Sequence, residues 1–128
     1  MILVTGGAFQ GKKEYVRTRF CLVEEEMADG AECSWEEIRL CRCLFHFHLL
    51  VKRMMKEGED PSDLCEILME ENPSLIIVTN ELGCGIVPIE HFDREYREIC
   101  GRICCQIAKE AKEVHRVVCG IGQVIKGA

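Results

Sequence analysis

The sequence lacks a surplus of basic residues, a long apolar run and any tract of low complexity. Asp and Glu number 22 against 16 Lys and Arg, which leaves a net charge of −6. This balance argues against a broad, non-specific nucleic-acid surface, because such a surface needs clustered positive charge. No apolar run approaches the roughly 20 residues of a membrane-spanning helix. We therefore expect no nucleic-acid partner and no membrane span.

The N-terminus lacks the charged region and the long apolar region of a secretory signal, and we expect a cytoplasmic protein. Ten cysteines among 128 residues invite a disulfide interpretation. However, a chain of this length buries enough surface to fold without cross-links, and the cysteines lie within apolar helical patterns. We expect reduced cysteines that pack in a core, in a single domain spanning residues 1–128.

Strand-like and helix-like segments alternate along the chain. Runs rich in β-branched residues predict strands at residues 1–5, 74–79, 114–119 and 123–126. Helices are predicted at residues 11–20, 34–57, 60–72 and 89–113. Strands that alternate with helices predict an α/β fold, with a small, mainly parallel sheet flanked by helices.

The predicted helix at residues 34–57 is apolar on nearly every side. It begins at Ser34, which opens a capping-box pattern. Its middle is interrupted by three polar residues only, Arg42, His46 and His48. Such a helix is buried on more than one side, by its own sheet or by another subunit.

The segment TGGAFQGKK, residues 5–13, follows the first predicted strand and precedes a predicted helix. Gly6, Gly11 and Lys12 fit the phosphate-binding pattern G-x-x-x-x-G-K-[ST], and Lys13 stands where Ser or Thr is expected. In such a loop, backbone N–H groups and a helix N-terminus bind an anion. The residues predicted to bind nucleotide are Gly6, Gly7, Ala8, Phe9, Gln10, Gly11, Lys12 and Lys13.

Lys13 changes the chemistry of this loop, because an ammonium group cannot coordinate Mg²⁺. Its charge could lie beside the phosphates and replace part of what the metal supplies. Alternatively, Lys13 points to solvent, and metal is held through water or substrate phosphates. A third interpretation is a plain strand-to-helix turn that uses glycine for positive φ.

Asn80 and Glu81 follow the buried strand at residues 74–79. Open α/β sheets place ligand-binding residues at this carboxyl end of a strand. Glu81 is predicted to hold Mg²⁺ or to act on a substrate hydroxyl, and Asn80 is a weaker candidate ligand. Lys12 and Glu81 are thus the predicted catalytic residues. The alternative is that the pair only shapes the glycine-containing loop that follows.

Cys41, Cys43, His46 and His48 form the pattern C-x-C-x-x-H-x-H. On one helix, positions 41 and 43 point about 200° apart, so their thiols cannot share a zinc ion. We expect these residues to pack in the core. A nucleophilic role for His46 or His48 is the remaining alternative.

Four segments together resemble one family. VTNELGCGIVP, residues 78–88, is similar to V-[ST]-N-E-V-G-x-G-I-V-P of the bifunctional adenosylcobinamide kinase / adenosylcobinamide-phosphate guanylyltransferase family. REYREICGR, residues 94–102, resembles its R-x-[FY]-R-D-x-x-G-R, and residues 117–126 resemble its V-V-x-G-[IL]-x…[IL]-K ending. The N-terminal ILVTGGA with Gly11 and Lys12 resembles I-L-V-T-G-G-A-R-S-G-K-S. The resemblance covers residues 1–20 and about 74–127.

The resemblance implies a P-loop NTPase-like fold, ATP or GTP as nucleotide, and adenosylcobinamide as the corrinoid substrate. It implies phosphoryl transfer to the side-chain hydroxyl of that substrate in cobalamin biosynthesis, Mg²⁺ dependence weakened by Lys13, and a homo-oligomer such as a trimer. The family's H-x-x-x-R-P and W-R-T-x-E segments have no counterpart in residues 21–73, so guanylyl transfer is not expected. The alternative is a non-catalytic accessory protein that binds a nucleotide or a corrinoid.

Overall fold

Six strands form one sheet in a computed structural model that describes residues 1–82 and 90–127. In chain order the strands are β1 (Ile2–Gly6), β2 (Met27–Asp29), β3 (Cys43–Phe45), β4 (Ile76–Asn80), β5 (Glu113–Val118) and β6 (Ile121–Lys126). Their order across the sheet is β2-β3-β4-β1-β5-β6. Every neighbouring pair is parallel except β5 and β6, which form an antiparallel hairpin. The prediction of an α/β fold with a mainly parallel sheet is confirmed.

Helices cover both faces of this sheet. They are α1 (Lys12–Arg19), α2 (Trp35–Leu40), α3 (Phe47–Lys56), α4 (Leu64–Glu71) and α5 (His91–Glu110). Alternate strand residues point to opposite faces. Leu3 and Ile77 join the larger core with α2 to α5, while Val4 and Val78 join the smaller core with α1. The loop within residues 5–13 therefore connects the central strand β1 to α1, the helix that packs on the smaller core.

The predicted helix at residues 34–57 is wrong, although its start at Ser34 is confirmed. The Ser34 hydroxyl accepts a 3.2 Å hydrogen bond from the Glu37 N–H, but α2 ends at Leu40. The chain then forms strand β3, in which Cys43 and Leu44 are completely buried. An inner strand covered on both faces is apolar on both sides, which explains the uniform apolar pattern. Most of the pattern is satisfied within this chain, although Leu40 at the end of α2 is exposed.

Smaller differences concern the ends of helices. The helix predicted at residues 60–72 begins at Leu64, because Asp60 Oδ1 instead accepts a 3.0 Å bond from the Ser62 N–H in a turn. The last predicted helix ends at Glu110, since the chain turns there to bring Lys112 beside Met1. Its predicted start at residue 89, like most of the predicted loop 80–88, lies outside the described residues. Strand β2 falls in residues 21–34, for which no strand was predicted.

The nine cysteines that the structure describes are unpaired. Six are buried or half-buried, whereas Cys21, Cys105 and Cys119 are exposed, so the prediction of core packing is wrong for these three. Burial raises the pKa of Cys41 to about 11 and that of Cys43 to about 12. These two thiols belong to the larger and the smaller core, respectively, so they pack on opposite sides of the sheet. No helix in residues 1–82 and 90–127 is long and apolar enough to span a membrane.

Candidate functional site

A cavity of about 410 Å³ opens at the carboxyl end of the parallel strands, where ligands bind in open α/β sheets. The loop between β1 and α1 forms one wall, and the turn between β3 and α3 forms the other. The lining residues are Ala8, Phe9, Gln10, Gly11, Lys12, Lys13, Phe45, His46, His48, Leu49, Val78, Thr79 and Asn80. Six of the eight residues predicted to bind nucleotide thus line one cavity.

The loop needs glycine at two places. Gly11 has a φ of 80°, in the left-handed region, and a Cβ there would lie 3.2 Å from the Cα of Gly120. A Cβ on Gly6 would collide with the carbonyl oxygen of Val117 on the neighbouring strand. Phe9, at the tip of the loop, also has a positive φ of 60° and is fully exposed. A bulky residue in this conformation indicates backbone strain of the kind that collects at functional sites.

Gln10 connects the loop to the β5–β6 hairpin by two hydrogen bonds. Its backbone oxygen accepts a 2.7 Å bond from the Gly120 N–H. Its side-chain oxygen accepts a 2.7 Å bond from the Cys119 N–H. This contact joins residues more than 100 positions apart, and no local sequence pattern indicates it. The hairpin therefore supports the loop from outside the cavity.

Lys12 places a cation inside the loop. Its side chain is largely buried, and its ammonium donates a 2.6 Å hydrogen bond to the Gly7 carbonyl oxygen. Burial lowers the pKa of Lys12, and the nearby Glu81 carboxylate partly opposes this effect. The Gly7 carbonyl oxygen stabilises the buried charge of Lys12, which an anionic ligand could also stabilise.

Lys13 lies on the side of the loop that faces β3. Its ammonium is 3.5 Å from Glu24 Oε1 and 4.7 Å from the centre of the Phe45 ring. It lines the cavity while half of its side chain remains exposed. The alternatives for this residue stay predictions, since Lys13 lines the cavity and is also paired with Glu24 at the surface.

Asn80 and Glu81 are separated by the structure. Asn80 lines the cavity, and its backbone N–H donates a 3.2 Å bond to Nδ1 of His48. The carboxylate of Glu81 instead accepts bonds of 2.9 and 3.3 Å from the guanidinium of Arg116. Its own N–H donates a 2.8 Å bond to the Gly6 carbonyl oxygen. Glu81 thus braces the start of the loop, and its catalytic and metal-binding roles stay predictions.

The residues that the structure describes do not form a cluster of carboxylate ligands for Mg²⁺. Lys13 offers no oxygen, and the Glu81 carboxylate is engaged by Arg116. Across residues 1–82 and 90–127, no three His, Cys, Asp or Glu side chains are grouped so as to hold a metal. Magnesium at this site would be carried by nucleotide phosphates and water, as Mg²⁺ often is.

Two histidines form the opposite wall of the cavity, with ring centres 5.9 Å apart. His48 is buried, and its Nδ1 accepts the Asn80 N–H, which places its proton on Nε2. Burial, together with the charges of His46, Lys12 and Lys52, lowers the pKa of His48 to about 4. His48 is therefore a neutral hydrogen-bond donor at ordinary pH.

His46 is half exposed, and its Nδ1 lies 2.9 Å from Oδ1 of Asp29. Its φ of 58° is left-handed, which is uncommon for a residue other than glycine. Sequence reasoning grouped His46 with Cys41, Cys43 and His48 on one helix. The structure brings only the two histidines of that group to the cavity.

Comparison with known proteins supports a relationship that the loop alone does not establish. Residues 31–125 match the family model described as CobU, cobinamide kinase / cobinamide phosphate guanyltransferase. The match includes residues 31–73, for which the motifs gave no resemblance, and it does not include the loop at residues 5–13. It covers about three quarters of the chain.

Two relatives carry the same name, bifunctional adenosylcobalamin biosynthesis protein CobU. The protein of Escherichia coli (strain K12) is 50% identical over 52 residues, which are 41% of this chain and 29% of that protein. The protein of Salmonella typhimurium (strain LT2) is 48% identical over 52 residues, with the same coverage. The matched residues thus span less than a third of the length of each relative. Because the family model covers most of the chain, this protein belongs to the cobinamide kinase / cobinamide phosphate guanyltransferase family.

Proposed function

We propose that this protein binds ATP or GTP and transfers the γ-phosphoryl group to the side-chain hydroxyl of a cobinamide-type corrinoid, in cobalamin biosynthesis. The observation that carries the proposal is the buried Lys12 ammonium within a glycine loop at the end of β1. The kinase activity in the family's name supplies the substrate class.

The geometry suits phosphoryl transfer because that reaction depends on positioning and charge neutralisation more than on a protein nucleophile. Lys12 and the loop N–H groups would hold the β- and γ-phosphates. Lys13 would add positive charge from the side of the loop that faces β3. Glu81, held by Arg116, would act through its charge on Lys12.

The family resemblance also concerns guanylyl transfer and the assembly of a homo-oligomer. Guanylyl transfer, the second activity in the family name, is not part of the proposal, because residues 21–73 lack the histidine-bearing segment. A homo-oligomer, such as a trimer, remains a proposal that rests on the resemblance alone.

A second candidate function is supported by Lys13. This residue replaces the metal-binding hydroxyl of the phosphate-loop pattern, and the described donors do not form a metal cluster. A non-catalytic accessory protein that binds a nucleotide or a corrinoid would tolerate both features.

Transfer of label from γ-labelled ATP or GTP to adenosylcobinamide tests the proposal. We expect labelled corrinoid with the unmodified protein and none with Lys12→Met. GTP labelled at the α-phosphate serves as the control, since it labels the corrinoid only by guanylyl transfer. Nucleotide binding without any transfer, in both the unmodified protein and Lys13→Ser, would favour the accessory function.

Glu81→Gln tests the remaining predicted catalytic residue. Removal of its charge is expected to lower turnover about tenfold or more while nucleotide still binds. Glu71→Gln is the matched control, because Glu71 forms a similar ion pair with Arg39 away from the cavity. Equal turnover in both variants would leave Glu81 with a structural role.

A further inference from the structure

His46 stands at the cavity wall that faces the phosphate loop, and three independent features set it apart. It lines the cavity, its backbone is left-handed, and its ring is held by a carboxylate on a different strand. Its side chain is 47% exposed, so the Asp29 contact rather than burial in the core orients the ring. A strained, exposed and oriented histidine in a cavity indicates a chemical role.

Asp29 fixes the ring of His46. Its Oδ1 also accepts a 2.9 Å bond from the Ala31 N–H, which holds the carboxylate in place. Gly30 N–H donates a 2.7 Å bond to the Phe45 carbonyl oxygen, and a Cβ on Gly30 would collide with the backbone of His46. Close contact between the ends of β2 and β3 therefore sets the distance between the carboxylate and the imidazole.

This contact determines the tautomer of His46. A carboxylate accepts hydrogen bonds, so Nδ1 carries the proton and donates it to Asp29. In the neutral ring, Nε2 then has a free lone pair. The ring contacts the Asp29 carboxylate on β2 and the neutral His48 ring on α3. Lys13 acts electrostatically on Asp29, and Lys12 acts on His48.

We infer that Nε2 of His46 accepts the proton of the substrate hydroxyl during phosphoryl transfer, and that Asp29 is the positioning residue for this step. The inference rests on the proposed kinase function. It also gives a catalytic role to the cavity wall that lies opposite the phosphate loop and carries His46.

The hydroxyl oxygen forms a bond to the γ-phosphorus while its O–H bond breaks, and the proton passes to Nε2. The bond from the γ-phosphorus to the bridging oxygen breaks, and its electron pair leaves on the nucleoside diphosphate. Asp29 stabilises the imidazolium that forms, which later returns the proton to solvent.

His46→Asn is the variant that tests this role. Asparagine tolerates the left-handed conformation but cannot act as a base. We expect kcat for corrinoid phosphorylation to fall about 100-fold or more, while the Kd for nucleotide, measured by calorimetry, changes less than about twofold. Glycine at the same position also tolerates the backbone, so His46→Gly should give the same result. His91→Asn, at an exposed histidine on α5, is the matched control with unchanged kcat.

Asp29→Asn separates positioning from catalysis. We expect a smaller loss of kcat, about tenfold, with little change in KM. In the His46→Asn background, Asp29→Asn should lower kcat no further, because Asp29 acts through that ring. A purely structural role of Asp29 would instead lower stability and reduce kcat equally in both backgrounds.

Three results would overturn the inference, and they can be told apart. Unchanged kcat in His46→Asn, with an active unmodified protein, removes His46 from the reaction. A nucleotide adduct on His46, detected as a mass increase of the intact protein, would make it a nucleophile rather than a base. If the unmodified protein binds nucleotide but transfers no phosphate, the proposed function fails and the inference fails with it.

Discussion

The ammonium of Lys12 donates a hydrogen bond to the carbonyl oxygen of Gly7, 2.6 Å away, within the same loop. The loop thus supplies a partner for its own buried cation. A phosphate that enters the loop would accept a hydrogen bond from the Lys12 ammonium in place of the Gly7 carbonyl oxygen. The relationship explains how a largely buried lysine can remain charged and ready for an anion.

Lys12→Met should weaken nucleotide binding. The loss of a hydrogen bond between charged groups costs about 1.5–3 kcal/mol, or roughly 10- to 150-fold in Kd. Isothermal titration calorimetry with ATP or GTP measures the change. Lys126→Met is the matched control, because Lys126 also donates to backbone carbonyls but lies on β6, away from the cavity. Equal affinities in the unmodified protein and Lys12→Met would contradict the role given to Lys12.

Gly11→Ala should damage both the fold and the site. The left-handed conformation costs an alanine about 1–2 kcal/mol, and the new methyl group would press on Gly120. Gly58→Ala carries the same backbone cost at a φ of 78°, but with open space around it. Urea unfolding should therefore show destabilisation in both variants, while calorimetry should show weaker nucleotide binding in Gly11→Ala alone. Similar nucleotide affinities in the two variants would mean that the loop conformation does not matter for binding.

Tyr15→Phe should destabilise the protein without affecting the cavity. The Tyr15 hydroxyl lies 2.6 Å from Nδ1 of His115, a fully buried ring whose Nε2 lies 2.9 Å from Glu113. Without the hydroxyl, one buried nitrogen loses its partner at a cost of about 1–3 kcal/mol. Urea unfolding measures this cost, and nucleotide titration should show no change. A loss below about 0.5 kcal/mol would show that water or a shifted ring replaces the hydroxyl.

Stability should fall as the pH drops from about 6.5 to about 4, owing to His48. Its pKa is about 4 in the folded protein, against 6.5 for an unperturbed histidine. Between these values the unfolded chain binds more protons, so the free energy of unfolding decreases as the pH falls. The free energy of unfolding falls by on the order of 3 kcal/mol in total, and this loss does not occur above about pH 7.

His48→Asn is the control for this pH dependence, because its amide oxygen can still accept the Asn80 N–H. Urea unfolding at a series of pH values should give a flatter profile for His48→Asn than for the unmodified protein between pH 4 and 6.5. Parallel profiles would mean that other groups cause the acid sensitivity.

Long elements with clear periodicity could be predicted from the sequence. Strands β1 and β4 have β-branched runs that end at turn residues, and α5 has a long apolar stripe. Strand β3 could not be distinguished from a helix, since its three buried residues continue directly into the apolar face of α3. Periodicity is ambiguous over so short a run.

The site was only half predictable for a related reason. The phosphate loop is one contiguous segment, so its glycines and lysine form a pattern that can be recognised in the sequence. The opposite wall depends on the pairing of β2 with β3, two strands of three residues each. That pairing places Asp29 beside His46, 17 positions away, and no local pattern indicates the contact.

Calorimetric titration of the unmodified protein with ATP and GTP, each with and without Mg²⁺, tests the central claim most directly. We predict binding in the micromolar range to at least one nucleotide, with part of the affinity retained when Mg²⁺ is absent, because Lys12 and Lys13 supply charge at the cavity. No heat with either nucleotide, under either condition, would contradict the account and leave TGGAFQGKK as a structural turn.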